Sequence, residues 1–150
     1  SKSYKIYCFD LNIGMNYKDS AGHFIMIDNP KFDKVIQYII DNNKTILGHL
    51  GEGITFQLAR IDEALSRPGN APSDFAATFR NNFHITTSGF FSDSALRCCL
   101  EEMDPSRIMF AVDWPFVDNA DGVDWLKAFP TDAATKEHIF SGNAKRLLGL

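Results

Sequence analysis

Three polar residues of the sequence follow short apolar segments, where a parallel sheet would place its chemistry. His49 and Glu52 lie three residues apart at the end of the segment 45–50, and Asp113 directly follows the apolar run 108–112. A neutral imidazole binds a metal ion or moves a proton near neutral pH, and a neighbouring carboxylate orients its ring or shares the proton. Because burying an unpaired carboxylate is costly, Asp113 is predicted to be a metal ligand or a proton acceptor.

Each of these residues also has a purely structural interpretation. The His-x-x-Glu pattern is weak alone, since a histidine at a strand end often serves only the fold, and Asp113 could cap the following loop. Trp114 and Phe116 follow Asp113 in the sequence and would form a stiff apolar wall beside it.

The sequence has no phosphate-binding loop, no dinucleotide fingerprint and no Gly-x-Ser-x-Gly elbow. Their absence disfavours nucleotide hydrolases, Rossmann oxidoreductases and α/β-hydrolases.

The elements that must position these residues alternate between strands and helices. Such alternation indicates βαβ units and a parallel sheet, whose functional residues gather at the carboxyl ends of the strands. Asn29, Ser73, Ser92, Thr131 and Ser141 are predicted to cap helices. Strands are predicted over 4–9, 45–50, 83–87 and 107–112, and helices over 30–40, 54–65, 73–80, 92–103, 121–128, 131–140 and 141–148.

Length and composition restrict the class of protein. The 150 residues suit a single domain and are too few for a full eight-unit α/β barrel, which needs about 250. A net charge of −4 argues against a nucleic-acid partner, because phosphate binding needs clustered Lys and Arg. Apolar runs approaching the roughly 20 residues of a membrane span and signal-peptide patterns are lacking, so we expect no membrane partner. Three cysteines, two of them adjacent, indicate reduced thiols and a cytoplasmic protein.

The two parts of the sequence differ in composition. Residues 1–50 contain six Lys and no Arg, whereas residues 51–150 contain three Lys and six Arg. The change falls within 48–53, a compact Gly-rich motif without a Pro/Gly/Ser linker. A domain boundary or a join between two parent sequences would explain this seam, and both interpretations stay open.

Four motifs of the sequence are ILGHLGEG (46–53), NFHITTSG (82–89), RIMFAVDWPF (107–116) and NAKRLLGL (143–150). In this order they resemble the amidohydrolase superfamily, in the branch containing γ-resorcylate (dihydroxybenzoate) and aminocarboxymuconate-semialdehyde decarboxylases. Residues 12–52 resemble a different amidohydrolase-related branch, which supports the hypothesis of a chimera joined at a shared motif.

This resemblance implies a TIM-type (β/α)8 barrel, of which the chain would form about half, with about four parallel strands. It also implies a divalent metal, either zinc, manganese or magnesium. His49 corresponds to a metal ligand or proton-transfer group, Glu52 to its carboxylate partner, and Asp113 to an aspartate that binds metal and relays protons. Arg60 lies where the decarboxylases have an arginine that would bind a substrate carboxylate.

Two hypotheses of function follow. In the first, the protein is a metal-dependent decarboxylase of a small aromatic hydroxy-acid, or a related hydrolase. In the second, it is a catalytically incomplete half-barrel, because the first-strand Glu-x-His or His-x-His metal pair of the family has no match. Four barrel strands would leave open edges and an uncovered inner face, so we expect a homodimer or higher homo-oligomer.

Overall fold

The computed structural model describes residues 7–8, 18–23, 30–42, 46–49, 53–69 and 74–150. Within these residues, four parallel strands form one sheet in the sequential order β1-β2-β3-β4. The strands are β1 (Tyr7–Cys8), β2 (Ile46–His49), β3 (Phe83–Thr86) and β4 (Ile108–Met109). This arrangement confirms the predicted partial TIM-type barrel, because neighbouring parallel strands connected through helices are its repeating unit.

Helices connect and follow the strands. A 3₁₀ turn (Pro30–Phe32) leads into α1, a second one (Pro105–Arg107) precedes β4, and a π-helical turn (His138–Gly142) joins the last two helices. The α-helices are α1 (Asp33–Asp41), α2 (Ile54–Leu65), α3 (Phe75–Asn82), α4 (Asp93–Glu102), α5 (Asn119–Ala128), α6 (Ala133–Glu137) and α7 (Asn143–Leu148).

The core lies between the sheet and the helices. Ile85 of β3 pairs in register with Ile108 of β4, and both pack against Leu58, Leu96 and Leu126 from three helices. All five side chains are fully buried. Removing a side chain of this size from water contributes about 1.5–3 kcal/mol, so this cluster fixes the sheet against its helices.

Two of the predicted helix caps can be compared directly with the structure. The Oγ atom of Ser92 accepts a hydrogen bond from the Ala95 N–H at 3.4 Å, which confirms the predicted start of α4. The cap predicted at Thr131 is wrong, because the adjacent Asp132 carboxylate accepts from the Thr135 N–H at 2.9 Å. A carboxylate is at least as good a cap as a hydroxyl, so α6 begins one residue later.

The C-terminal helical segment is continuous where the sequence predicted a break. Ser141 does not cap a new helix, because it lies inside the π-helical turn.

α5 begins two residues earlier than predicted, with the Asp118 carboxylate accepting a hydrogen bond from the Ala120 N–H at 2.8 Å. Asn29 and Ser73, the remaining predicted caps, lie outside the described residues.

Strand β4 is shorter than the predicted 107–112. The Phe110 N–H donates to the carbonyl of Ile139 at 2.8 Å, so the backbone pairs with the π-helical turn at this point. At Phe110 the backbone therefore bonds the C-terminal helical segment instead of continuing the strand ladder.

The sheet face opposite the helices is covered at three central positions. Side chains alternate along a strand, so Thr86 and Met109 face away from Ile85 and Ile108. Thr86 is 7% exposed, Met109 5% and Leu47 of β2 8%. The expectation of an uncovered inner face is therefore wrong at these positions.

No helix in the described part of the chain has the length and apolar character needed to cross a membrane.

Candidate functional site

The carboxyl ends of three strands are aligned at one edge of the sheet. His49, the last residue of β2, pairs in register with Thr86 of β3, and Thr86 pairs with Met109 of β4. The backbone of His49 thus lies beside the strand ends that lead toward Asp113. The side chain of His49 and all of Glu52 lie outside the described residues, so their roles stay predictions.

Asp113 has an unusual backbone conformation at this edge. Its φ angle is +68°, and its carbonyl accepts a hydrogen bond from the Phe116 N–H at 2.9 Å. Aspartate is one of the few residues with a side chain that adopts this left-handed region readily. A local conformation of this kind often occurs at functional sites, and here it turns the chain immediately after the segment that follows β4.

The carboxylate of Asp113 lies against the turn that follows β3. A Cβ atom placed on Gly89 would lie 3.8 Å from Asp113 Oδ2, and Gly89 itself has a φ angle of +70°. The Asp113 carboxylate and the strand end of β3 are therefore close neighbours. This is the arrangement expected for a group that acts at the carboxyl edge of a parallel sheet.

Thr87 fixes the segment leading to Asp113. Its N–H donates to the Met109 carbonyl at 3.0 Å, and its hydroxyl donates to the Ala111 carbonyl at 2.8 Å. The same hydroxyl oxygen accepts from the Ala111 N–H at 3.1 Å. Thr87 is fully buried, so one side chain replaces two ladder bonds that β4 no longer makes. Sequence analysis missed this role, although a polar residue directly after a buried strand was the available signal.

We expect Thr87→Val to lower the free energy of unfolding by about 2 kcal/mol, because both backbone groups of Ala111 lose their buried partner without a change of volume. Urea unfolding measures this loss. Thr78→Val is the matched control, since the Thr78 hydroxyl is exposed and bonds only the carboxylate of Asp74. Equal effects of the two substitutions would contradict a positioning role for Thr87.

Three further residues proposed for substrate binding are at the surface. Arg60 on α2 is exposed and forms an ion pair with Glu63. Trp114 is 70% exposed and Phe116 85% exposed, in the turn that follows Asp113. The structure does not bring Arg60 into contact with Asp113, and the substrate roles of all three stay predictions.

An apolar cavity of about 310 Å³ adjoins the loops after β2 and β3. Phe56, Phe90, Ala95 and Cys98 contribute to its lining, between the first turns of α2 and α4. The Sγ atom of the adjacent Cys99 lies 3.5 Å from the Thr55 hydroxyl, and burial raises the pKa of this thiol. The cavity is large enough to hold a small ring, and its lining offers mainly apolar contacts.

The described residues do not form a complete metal site. Among them, no three His, Cys, Asp or Glu side chains come together as a metal-binding group. Asp113 offers a carboxylate of the kind that divalent ions bind. Its position fits a metal at this edge, and further ligands would have to come from His49 and from residues beyond the described ones.

Comparison with known proteins agrees with this geometry. The sequence profile of the amidohydrolase family (Amidohydro_2) matches residues 25–150. The γ-resorcylate decarboxylase of Rhizobium radiobacter is 38% identical over 110 residues, which are 70% of this chain and 34% of that protein. The decarboxylase orsB of Emericella nidulans is 38% identical over 87 residues, 56% of this chain and 26% of that protein. The chain thus spans about a quarter to a third of the length of these relatives.

Solved structures show the same relationship. A 2,6-dihydroxybenzoate decarboxylase in complex with 2,6-dihydroxybenzoate superimposes with a TM-score of 0.66 at 34% identity, over 79% of this chain and 37% of that one. The 5-carboxyvanillate decarboxylase LigW of Sphingomonas paucimobilis has a TM-score of 0.66 at 28% identity, over 93% and 46% respectively. A dihydroxybenzoic acid decarboxylase of Polaromonas with bound manganese has a TM-score of 0.66 at 31% identity, over 79% and 36%. With its parallel strands and with a profile match over most of its length, the chain belongs to the amidohydrolase family.

Proposed function

We propose that this chain is a divalent-metal-dependent decarboxylase acting on an aromatic hydroxy-acid, with its active site at the carboxyl edge of the sheet. The observation that carries the proposal is the position of the Asp113 carboxylate beside Gly89, at the edge of the sheet where β2 and β3 end in register at His49 and Thr86. A carboxylate at this edge supports a catalytic role, because the active sites of such barrels lie at the carboxyl ends of the strands.

The relatives favour this reaction over others in the family. Those described above are named as decarboxylases, and their names include γ-resorcylate, 2,6-dihydroxybenzoate and 5-carboxyvanillate. One of those structures holds manganese. We therefore propose a benzoate bearing a ring hydroxyl as the substrate and manganese as the first metal to test.

Three residues of this chain would have distinct roles in the reaction. His49 and Asp113 would hold the metal, and Glu52 would orient the imidazole of His49. A bound divalent ion supplies Lewis-acid polarisation of the substrate oxygens. The reaction breaks the bond between the ring and its carboxylate carbon, releases CO2 and places a proton on the ring carbon. Asp113, which can hold a proton at its carboxylate, is our candidate for relaying it.

Substrate contacts would come from three exposed side chains. Trp114 and Phe116 are exposed beside Asp113 and would form the apolar wall along the aromatic ring. Arg60 would pair with the substrate carboxylate once released from Glu63, because a guanidinium exchanges one carboxylate partner for another at little cost on an exposed surface.

A direct assay tests the proposal. Purified protein loaded with Mn²⁺ is incubated with 2,6-dihydroxybenzoate, and formation of 1,3-dihydroxybenzene is followed by chromatography. We expect product from the unmodified chain and none from Asp113→Asn. Asp124→Asn is the matched control, since Asp124 is exposed on α5 beside Lys127. Absence of product from the unmodified, metal-loaded chain would contradict the proposed activity.

The second candidate is a catalytically incomplete half-barrel that associates with copies of itself. It is favoured by the incomplete ligand set among the described residues and by the exposed aromatic rings of Phe56, Trp114 and Phe116. Apolar surface of this kind promotes association. Sedimentation velocity separates the two candidates when combined with the assay, because this one predicts a homodimer without product formation.

A further inference from the structure

A second cavity lies at the opposite edge of the sheet from Asp113. It has a volume of about 330 Å³ and is lined by His84, Ser106, Arg107, Arg146 and Leu147. His84 is the second residue of β3, and Arg107 directly precedes β4. The cavity is therefore at the amino ends of these strands, and none of the residues proposed for decarboxylation lines it.

Two guanidinium groups of this cavity have no carboxylate bonded to them. Arg107 Nη1 donates to the Phe83 carbonyl at 3.3 Å, and Arg146 Nη2 donates to the Ser106 carbonyl. In the described part of the chain, neither arginine has a carboxylate oxygen within 4.0 Å. Hydrogen bonds to neutral carbonyls hold the two side chains in place and leave their positive charge available. Arginine is the side chain best suited to bidentate contact with phosphate or carboxylate.

His84 adds a polar group without a partner. Its Nδ1 atom is buried and has no hydrogen-bond partner. Burial, followed by the nearby charges of Arg107 and Arg146, lowers the pKa of His84 to about 4. The ring is therefore neutral at neutral pH and presents one N–H donor and one acceptor nitrogen. A buried ring nitrogen without a partner, in a cavity that two arginines also line, requires an explanation. In the tautomer that carries its proton on Nδ1, the ring would donate a hydrogen bond to a bound anion.

We propose that this cavity binds a small organic oxyanion, a phosphate or a carboxylate, between the guanidinium groups of Arg107 and Arg146. The imidazole of His84 faces the same cavity, and Leu147 contributes apolar surface for the organic part of the ligand. The volume is at the lower end of the range of small-molecule sites, about 300–1,000 Å³.

The carboxylate of Asp104 lies near the two arginines and would compete with a bound anion for their positive charge. Its carboxylate accepts from the Ser106 N–H at 2.8 Å, and that bond is the main cause of its lowered pKa. The charges of Arg107 and Arg146 contribute to the same lowering. Asp104 does not line the cavity, yet it is near enough to offset part of the positive charge there. Removing its charge should therefore strengthen anion binding.

Calorimetric titration tests the proposal with inorganic phosphate and benzoate as separate probes, each against chloride at the same ionic strength. We expect saturable binding of at least one probe, and the stronger probe tells whether phosphate or carboxylate is preferred. Arg146→Gln should weaken binding about tenfold, the usual loss for one charge-assisted hydrogen bond. Arg97→Gln is the control and should bind as the unmodified chain does, because Arg97 lies on α4 beside Asp93.

Asp104→Asn keeps the proposal falsifiable if Arg146→Gln does not fold. Asparagine caps a helical turn as well as aspartate does, so this variant should fold and bind the stronger probe about threefold more tightly, which is a modest surface-charge effect. Three results would overturn the proposal: no saturable binding of either probe beyond that of chloride, unchanged binding in a folded Arg146→Gln variant, or unchanged binding in Asp104→Asn.

Discussion

Asn143→Asp is expected to lower the free energy of unfolding by about 4 kcal/mol, in the range for a buried polar group that loses its partners. Asn143 is fully buried, and its Nδ2 donates to the carbonyls of Pro105 and Ile108, at 2.7 Å each. Aspartate has the same shape without the amide donors. An ionised carboxylate would then face two carbonyl oxygens, so the loss should grow as the pH rises and the new carboxyl ionises.

Urea unfolding at several pH values measures this effect. Asn119→Asp is the matched control, because Asn119 is exposed in the first turn of α5, where a negative charge is favourable. A loss under about 1 kcal/mol for Asn143→Asp would be typical of a surface substitution. That result would contradict the interpretation that hydrogen bonds of the Asn143 side chain connect α7 to the start of β4.

Gly122→Val is expected to cost about 3 kcal/mol, the upper range for added volume in a packed core. Gly122 is buried on α5, and a Cβ atom there would come within 2.6 Å of the Phe91 ring and 2.8 Å of Val112 Cγ1. Phe91 is restrained by its packing on Trp125, and a displacement of Val112 would shift Asp113, which directly follows it. The substitution should therefore disturb Asp113 as well as stability.

Ala128→Val on the same helix is the matched control for this substitution. Ala128 is exposed at the end of α5. The substitution should therefore lower the free energy of unfolding only through the lower helix propensity of valine, by about 0.5 kcal/mol. Thermal unfolding compares the two variants. Similar losses would show that the close approach of α5 to the segment after β4 does not constrain that segment.

The fold could be predicted because its strongest signals are local. Strand β3 and helix α2 lie where the sequence pattern placed them, and Ser92 caps α4 as expected. Hydrophobic periodicity and capping chemistry act over a few residues, so a sequence contains them directly.

Two of the errors arise where distant segments compete for the backbone. β4 is short because the Phe110 N–H bonds the carbonyl of Ile139, and the cap at Ser141 is lost to the continuous π-helical turn. Both depend on a tertiary contact between the end of the sheet and the C-terminal helices. Local preferences give no information about such a contact.

The candidate site was likewise predicted only in part. Asp113 was identified from its position after an apolar run, and the structure places it at the predicted edge. The support supplied by Thr87, Gly122 and Asn143 was not identified, because each acts on residues 20 or more positions away or on another element. The proposed seam at 48–53 stays a prediction, since residues 50–52 lie outside the described part of the chain.

Titration with Mn²⁺, followed by the electron paramagnetic resonance of the free ion, tests the proposed metal site most directly. We expect the unmodified chain to bind about one ion, with affinity reduced at least about tenfold in Asp113→Asn and in His49→Ala. Asp124→Asn should bind as the unmodified chain does, because its carboxylate is exposed on α5. Equal Mn²⁺ affinity in Asp113→Asn, His49→Ala and the unmodified chain would contradict a metal site at the carboxyl edge of the sheet.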